Sequence, residues 1–245
     1  MNDLHEPICR WLFQEDAGLP RVSDGRHAYA LREQGGPIAR VEGDGVCGAH
    51  SVELREGQWF NLPRAECAAL NLHGAQPLTV IAWVKRAPKR FKQCQAVAGM
   101  WNETGETRQY CLFLDLTIWD SEDSVCGHVS ATGKPSPGYE YCMEASIGAK
   151  PVAIGEWQQV AFTFDGDWVR VYLDGQLDYR PGLSPYFWPR AINTVGEGGS
   201  DFTVGAVFRW GEMGNFFVGQ IGGLAVYDVA LSADEIAALH KARSC

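Results

Sequence analysis

Residues 155–178, GEWQQVAFTFDGDWVRVYLDGQLD, constrain the fold more than any other stretch, because apolar side chains recur there at every second position. Val160, Phe162 and Phe164 share one parity, and after a DGD turn so do Val169, Val171 and Leu173. A period of two requires extended backbone with one face buried, since successive strand side chains point to opposite faces. Asp174-Gly175 then supplies a dipeptide tolerant of positive φ, which closes a tight hairpin. The pattern recurs at 108–120, RQYCLFLDLTIWD. Tyr110, Leu112, Leu114, Leu116 and Ile118 are expected on the core face of one long strand, with Gln109, Cys111, Phe113, Asp115 and Thr117 outside. Further strands fit residues 78–85, 201–208 and 216–227. Many strands with turn signals and little helical periodicity predict an all-β fold, a two-sheet antiparallel jelly-roll sandwich.

One short C-terminal helix is well signed. Ser232 and Glu235 stand in capping-box register, with Leu231 and Ile236 at the flanking staple positions. Asp234 and Glu235 suit the positive end of the helix dipole, and Lys241 and Arg243 the other. Ile236 and Leu239 are expected to pack onto the sandwich. A chain of 245 residues buries a substantial core without staples. It shows no internal repeat, linker or shift in composition, so residues 1–245 are expected to form one domain.

The net charge of −9 argues against a nucleic-acid partner, whose phosphates are held by basic residues. Lys85, Arg86, Lys89, Arg90 and Lys92 form a local basic run, read as a solvated strand end. Apolar runs such as 80–84 are too short to span a membrane. The start, MNDLHEPICRWLFQ, lacks the unbroken apolar core of a signal peptide. As it stands the sequence reads as soluble and cytoplasmic, or as secreted if a leader once preceded it. The eight cysteines are too sparse for a disulfide scaffold and lack zinc-finger spacing. Most are read as reduced, buried thiols, with Cys126–Cys142 the first pair to examine for a bridge. No feature of the sequence fixes the oligomeric state.

Four segments, in order, resemble the laminin-G-like branch of the concanavalin A-like lectin/glucanase superfamily. They are WLFQEDAGLPRVSDG near the start, LTVIAWVKR at 78–86, the hairpin at 155–178, and FFVGQIGGLAVYDVALSADEIAAL at 216–239. The likeness spans nearly the whole chain. It implies two antiparallel sheets packed face to face, one of them concave, on a fold that hosts lectins, glucanases, lyases and accessory domains. A structural calcium is common in the superfamily, but Gly222 and Gly223 stand where members often carry Asp. Asp44, Asp120 and Asp123 remain as candidate oxygen ligands, beside their plainer reading as solvated loop acids.

The leading expectation for function is a carbohydrate-directed, non-catalytic, lectin-like module that recognises a polysaccharide or glycan through the concave sheet. Sugars are held by aromatic faces and planar polar groups. Trp101, Phe113, Asp115, Ser130, Arg170, Tyr172 and Trp188 are the candidate contacts, weighed against the ordinary use of Trp and Tyr at core edges. The alternative is a β-eliminating lyase on a uronate polysaccharide. It would use His128 as base, Tyr139 or Tyr141 for proton transfer, and Gln109 or Arg108 on the carboxylate. Glycoside hydrolysis is disfavoured, because the Glu-x-Asp-x-x-Glu motif of glucanases on this fold is missing. Glu140 and Glu144 would lie roughly 13 Å apart on a regular strand, beyond the spacing hydrolysis needs. A scaffold domain without a glycan ligand is the third reading.

Overall fold

The computed structural model describes residues 5–90 and 93–245. Lys92 of the basic run and the first four positions of the N-terminal stretch lie outside the described residues. Two large antiparallel sheets face each other. The first runs in spatial order Gln176–Leu177, Trp168–Leu173, Trp157–Phe164, Leu78–Arg86, Gly219–Tyr227, His50–Leu54, Ala39–Glu42, with Cys9–Trp11 and Tyr186–Phe187 added at its sides. The second runs Ala145–Pro151, Ser124–Val129, Tyr110–Leu114, Gln95–Met100, Phe202–Val204, Trp59–Leu62, Ala30–Gln34, Arg21–Val22. A small hairpin, Val207–Arg209 with Glu212–Gly214, projects beside them.

The alternation at 155–178 is realised in this register. Val160, Phe162, Phe164, Val169 and Val171 are buried between the sheets, with Val80, Ala82 and Val84 of the first sheet and Tyr110, Leu112, Leu114, Val125 and Val129 of the second. Gly127 lies on the inner face of Ser124–Val129, where a Cβ would stand 2.6 Å from Cβ of Phe162. The missing side chain is what lets the Phe162 ring into the core.

The strand expected at 108–120 is shorter, Tyr110–Leu114. Asp115 and Thr117 take left-handed conformations, with φ of 55° and 59°. A strand cannot continue through such residues, and the parity of everything after them is lost. Leu116 and Ile118 therefore change sides and join Phe113 and Cys111 on the outer face of the second sheet. Likewise 201–208 splits into Phe202–Val204 and Val207–Arg209 around Gly205, whose φ is 89°.

The helix Ala233–Lys241 carries the predicted capping box, with the Ser232 amide donating to Glu235 Oε2 at 2.8 Å. Ile236 and Leu239 pack against Ile81, Trp83, Ala161, Tyr172, Ala225 and Tyr227 on the outer face of the first sheet. Trp83 Nε1 and Gln159 Nε2 donate to the Ser244 carbonyl at 3.0 and 3.2 Å, pinning the following segment across the same face. The chain itself covers much of that face, while Trp168 and Phe187 stay partly exposed at its edge. All eight cysteines are thiols. Cys126 and Cys142 do not bridge: their thiols donate separately to the Ser124 carbonyl and to Glu144 Oε2, at 3.4 and 2.8 Å.

Candidate functional site

The outer face of the second sheet carries a cavity of about 230 Å3. Three neighbouring strands place its aromatic groups. Phe113 and His128 project from Tyr110–Leu114 and Ser124–Val129, and Trp101 follows Gln95–Met100 directly. The Trp101 and His128 rings are 4.3 Å apart between centroids, and Phe113 stands edge-on to each at 5.8 Å. His128 is only 4% exposed. Burial pushes its imidazolium down to about 4, against the opposing pull of the Glu144 carbonyl and carboxylate, and Arg108 adds to the depression. The ring is therefore neutral at pH 7. Its Nδ1 lies 2.8 Å from the Glu144 carbonyl oxygen. That oxygen can only accept, so Nδ1 carries the proton.

Charged groups border the aromatic cluster. Glu103 Oε2 lies 3.9 Å from Arg108 Nη2 and 4.0 Å from Arg209 Nε, while Trp101 Nε1 donates to Glu103 Oε1 at 3.3 Å. Arg108 is held by donation to the Gly133 carbonyl at 2.8 Å, and Arg209 by donation to Asn215 Oδ1. The Arg209 guanidinium carbon sits 3.8 Å from the centroid of the Trp210 ring. Trp210 is 69% exposed at the tip of the small hairpin. Arg209 pairs with Glu212, which leaves Trp210-Gly211 as a two-residue turn with φ of 49° and 84°. Such a turn prefers Asn-Gly or Asp-Gly, and left-handed backbone at a residue like Trp costs roughly 1–2 kcal/mol. Trp210 is not there for the turn's sake.

Of the residues singled out from sequence, Trp101, Phe113, Arg108, His128 and Tyr141 all line this cavity. Arg108 qualifies because the strand begins after it, at Tyr110. Gln109 does not join them. It is fully buried, donating to Asn71 Oδ1 and the Asn193 carbonyl at 3.0 and 3.1 Å and accepting from Arg64 at 2.8 Å. Tyr139 is exposed in an adjacent depression, edge-on to Trp119. The stretch that holds both tyrosines is loop rather than a return strand; His128 pairs instead with Ala145 at the start of Ala145–Pro151.

The other candidates are dispersed. Ser130 is buried, with Oγ accepting from the Gly133 amide at 3.0 Å. Asp115 is buried beside Arg86, Lys89 and Asp123, away from the aromatic cluster. Trp188, expected on an exposed loop, is 4% exposed and belongs to the core between the sheets. Arg170 and Tyr172 lie on the first sheet; Tyr172 is covered by the helix and Arg170 is paired with Asp165 at 2.5 Å. Asp44 accepts from Lys85 Nζ at 2.8 Å and from Trp157 Nε1 at 2.9 Å, and Asp123 accepts from Arg86 at 2.6 Å. Asp120 is exposed, with its carbonyl accepting from Arg180. Among the described residues no three His, Cys, Asp or Glu side chains gather as a metal-binding group.

Sequence reasoning missed Glu103, Arg209, Trp210 and Asn215. The one available signal was RWGE at 209–212, a tryptophan in the slot where a two-residue hairpin asks for Asn or Asp.

A family model described as Concanavalin A-like lectin/glucanases superfamily matches residues 55–237. No curated protein sequence matches the chain. Among solved structures, domain 4 of a GH43 extracellular arabinanase from Geobacillus stearothermophilus, in complex with arabinotriose, aligns with a TM-score of 0.61 at 17% identity, covering 97% of this chain and 100% of that one. The CBM40 of the Ruminococcus gnavus IT-sialidase, bound to α2,3-sialyllactose, gives 0.56 at 16% identity, covering 80% and 99%. A mutant Trypanosoma rangeli sialidase displaying trans-sialidase activity gives 0.63 at 15% identity, covering 98% of this chain but only 34% of that protein. At these identities the likeness is one of fold.

Proposed function

Because the chain belongs to the Concanavalin A-like lectin/glucanases superfamily, we propose that it is a non-catalytic carbohydrate-binding module whose site is the cavity on the outer face of the second sheet. The observation that carries this reading is Trp210, exposed, held in a costly backbone conformation and stacked on Arg209, itself a lining residue of an aromatic-lined cavity. An exposed aromatic face beside fixed hydrogen-bonding groups is the arrangement that grips a pyranose, whose C–H surface is apolar and whose edge is hydroxylated. Much of the other outer face is covered by the chain's own helix. Two structural neighbours described as bound to arabinotriose and to sialyllactose support the reading at the level of fold.

Elimination chemistry fits less well. A base with a conjugate acid near 4 holds a proton weakly, and Gln109 is committed to Arg64, Asn71 and Asn193. Arg108 and Tyr141 do stand by His128, but as a binding edge they need no proton transfer.

Trp210→Asn separates binding from folding. It installs the preferred Asn-Gly turn, a gain of about 1 kcal/mol, and loses a cation–π contact of about 0.5–1 kcal/mol. Folding stability is therefore expected to stay within about 0.5 kcal/mol of the parent. Affinity electrophoresis on a glycan panel should show binding at least about tenfold weaker. Unaltered migration of the variant on a glycan that retards the parent would remove Trp210 from the site. Retardation of neither protein on any glycan would leave the scaffold reading.

A further inference from the structure

The charge balance of the cavity runs opposite to that of the protein. The chain carries −9 overall. Among the described residues lining the cavity, the ionised side chains are Arg108 and Arg209 against Glu103 alone, with His128 neutral. Glu144 stands close by, but its Oε2 accepts from the Cys142 thiol and it lines the neighbouring depression. Glu103 satisfies neither arginine fully, since its nearest oxygen is 3.9 Å from one and 4.0 Å from the other, beyond hydrogen-bond reach. Arg209 Nε is buried and has no hydrogen-bond partner among the described residues. A guanidinium whose charge is only partly offset attracts an anion to its cavity side. Low-dielectric walls strengthen that attraction relative to open water.

We propose that this cavity selects glycans bearing a carboxylate, a uronate or a sialate, with the carboxylate bound at the Arg108–Arg209 edge and the sugar ring against Trp210. The proposal rests on the carbohydrate-binding reading and adds the ligand's charge. Arg108 and Arg209 are each fixed by a neutral acceptor, the Gly133 carbonyl and Asn215 Oδ1, so their orientation does not depend on Glu103. Glu103 then acts as a gate on affinity: it offsets one positive charge and repels a ligand carboxylate.

The test is calorimetric titration with oligogalacturonate and with sialyllactose, each against a neutral counterpart, carboxyl-reduced oligogalacturonate and lactose. At least one acidic ligand should bind about tenfold or more tightly than its neutral counterpart. The preference should shrink as salt rises, and the arm that binds distinguishes uronate from sialate. Glu103→Gln should raise the preference for the acidic ligand over its neutral counterpart about threefold or more. Arg209→Gln, or Arg108→Gln should the first not fold by thermal melting, should abolish the preference. Equal binding of acidic and neutral glycans, with Glu103→Gln silent, overturns the selectivity and leaves the carbohydrate reading intact. Binding of no glycan at all overturns both.

Discussion

Taking the protein from pH 7 to pH 4 is expected to cost about 3 kcal/mol of folding stability through His128 alone. The sign follows from burial. In the unfolded chain the imidazole protonates near its ordinary value of 6.5, whereas in the folded protein it resists until about 4. Between those values the unfolded state binds the extra proton, so stability rises with pH. The contribution is complete above 6.5 and is lost as pH falls through the window down to about 4. The cause is the burial of the ring against Trp101 and Phe113, which outweighs the opposing pull of the Glu144 carbonyl on Nδ1. Urea denaturation at intervals from pH 7 to 4, on the parent and on His128→Phe, isolates the term from all other titrations. The parent should lose roughly 1.4 kcal/mol per pH unit more than the variant in that window. Parallel slopes would mean that the histidine is not desolvated.

Gly127→Ala should destabilise the fold by about 2–3 kcal/mol, a large effect for one methyl group. The new Cβ would meet Cβ and Cγ of Phe162 at 2.6 and 2.8 Å. Neither atom can swing away, because both sit at the base of a fully buried side chain. Phe162→Ala alone should cost about 3–5 kcal/mol by opening a cavity. The double variant should cost at least about 1 kcal/mol less than the sum, since each change relieves the other. Additive losses would show that the sheets do not approach each other at this point.

The sandwich was legible because its two halves are built on strict alternation. The inward residues of the 155–178 hairpin are where their parity puts them, and the capping box at Ser232 forms the helix it announces. The limit of that reading is visible at Asp115. Asp tolerates left-handed backbone better than most residues, and one such residue redirected Leu116 and Ile118 from core to outer face. Parity also ranked His128, Phe113, Tyr172 and Arg170 alike, since all point outward from their sheets. It carries no information on which sheet a strand joins or which outer face the C-terminal helix covers. The helix landed on Tyr172, and Phe113 and His128 were left to line the cavity. Trp188 misled for the opposite reason: a short Pro-flanked stretch resembles a surface loop while folding inward.

Residues that complete the cavity's rim come from the small hairpin and neighbouring turns rather than from the two large sheets. Arg209 and Trp210 sit on a hairpin whose position beside Trp101 is a long-range property, set by the Glu103 amide donating to the Phe208 carbonyl at 2.8 Å. Local pattern could mark Trp210 as odd in its turn but not what it faces.

The central claim is that the cavity on the second sheet, and not another surface, binds glycan. A titration followed by side-chain indole signals in a 1H–15N correlation spectrum addresses it directly, because tryptophans report from both faces. Trp101 lines the cavity, Trp210 stacks on Arg209, which also lines it, and Trp168 lies on the first sheet, paired with Phe187. On adding an oligosaccharide that the protein binds, the indole signals of Trp101 and Trp210 should shift together along one saturation curve while Trp168 stays fixed. A saturable shift of Trp168, with Trp101 and Trp210 unmoved, would contradict the account.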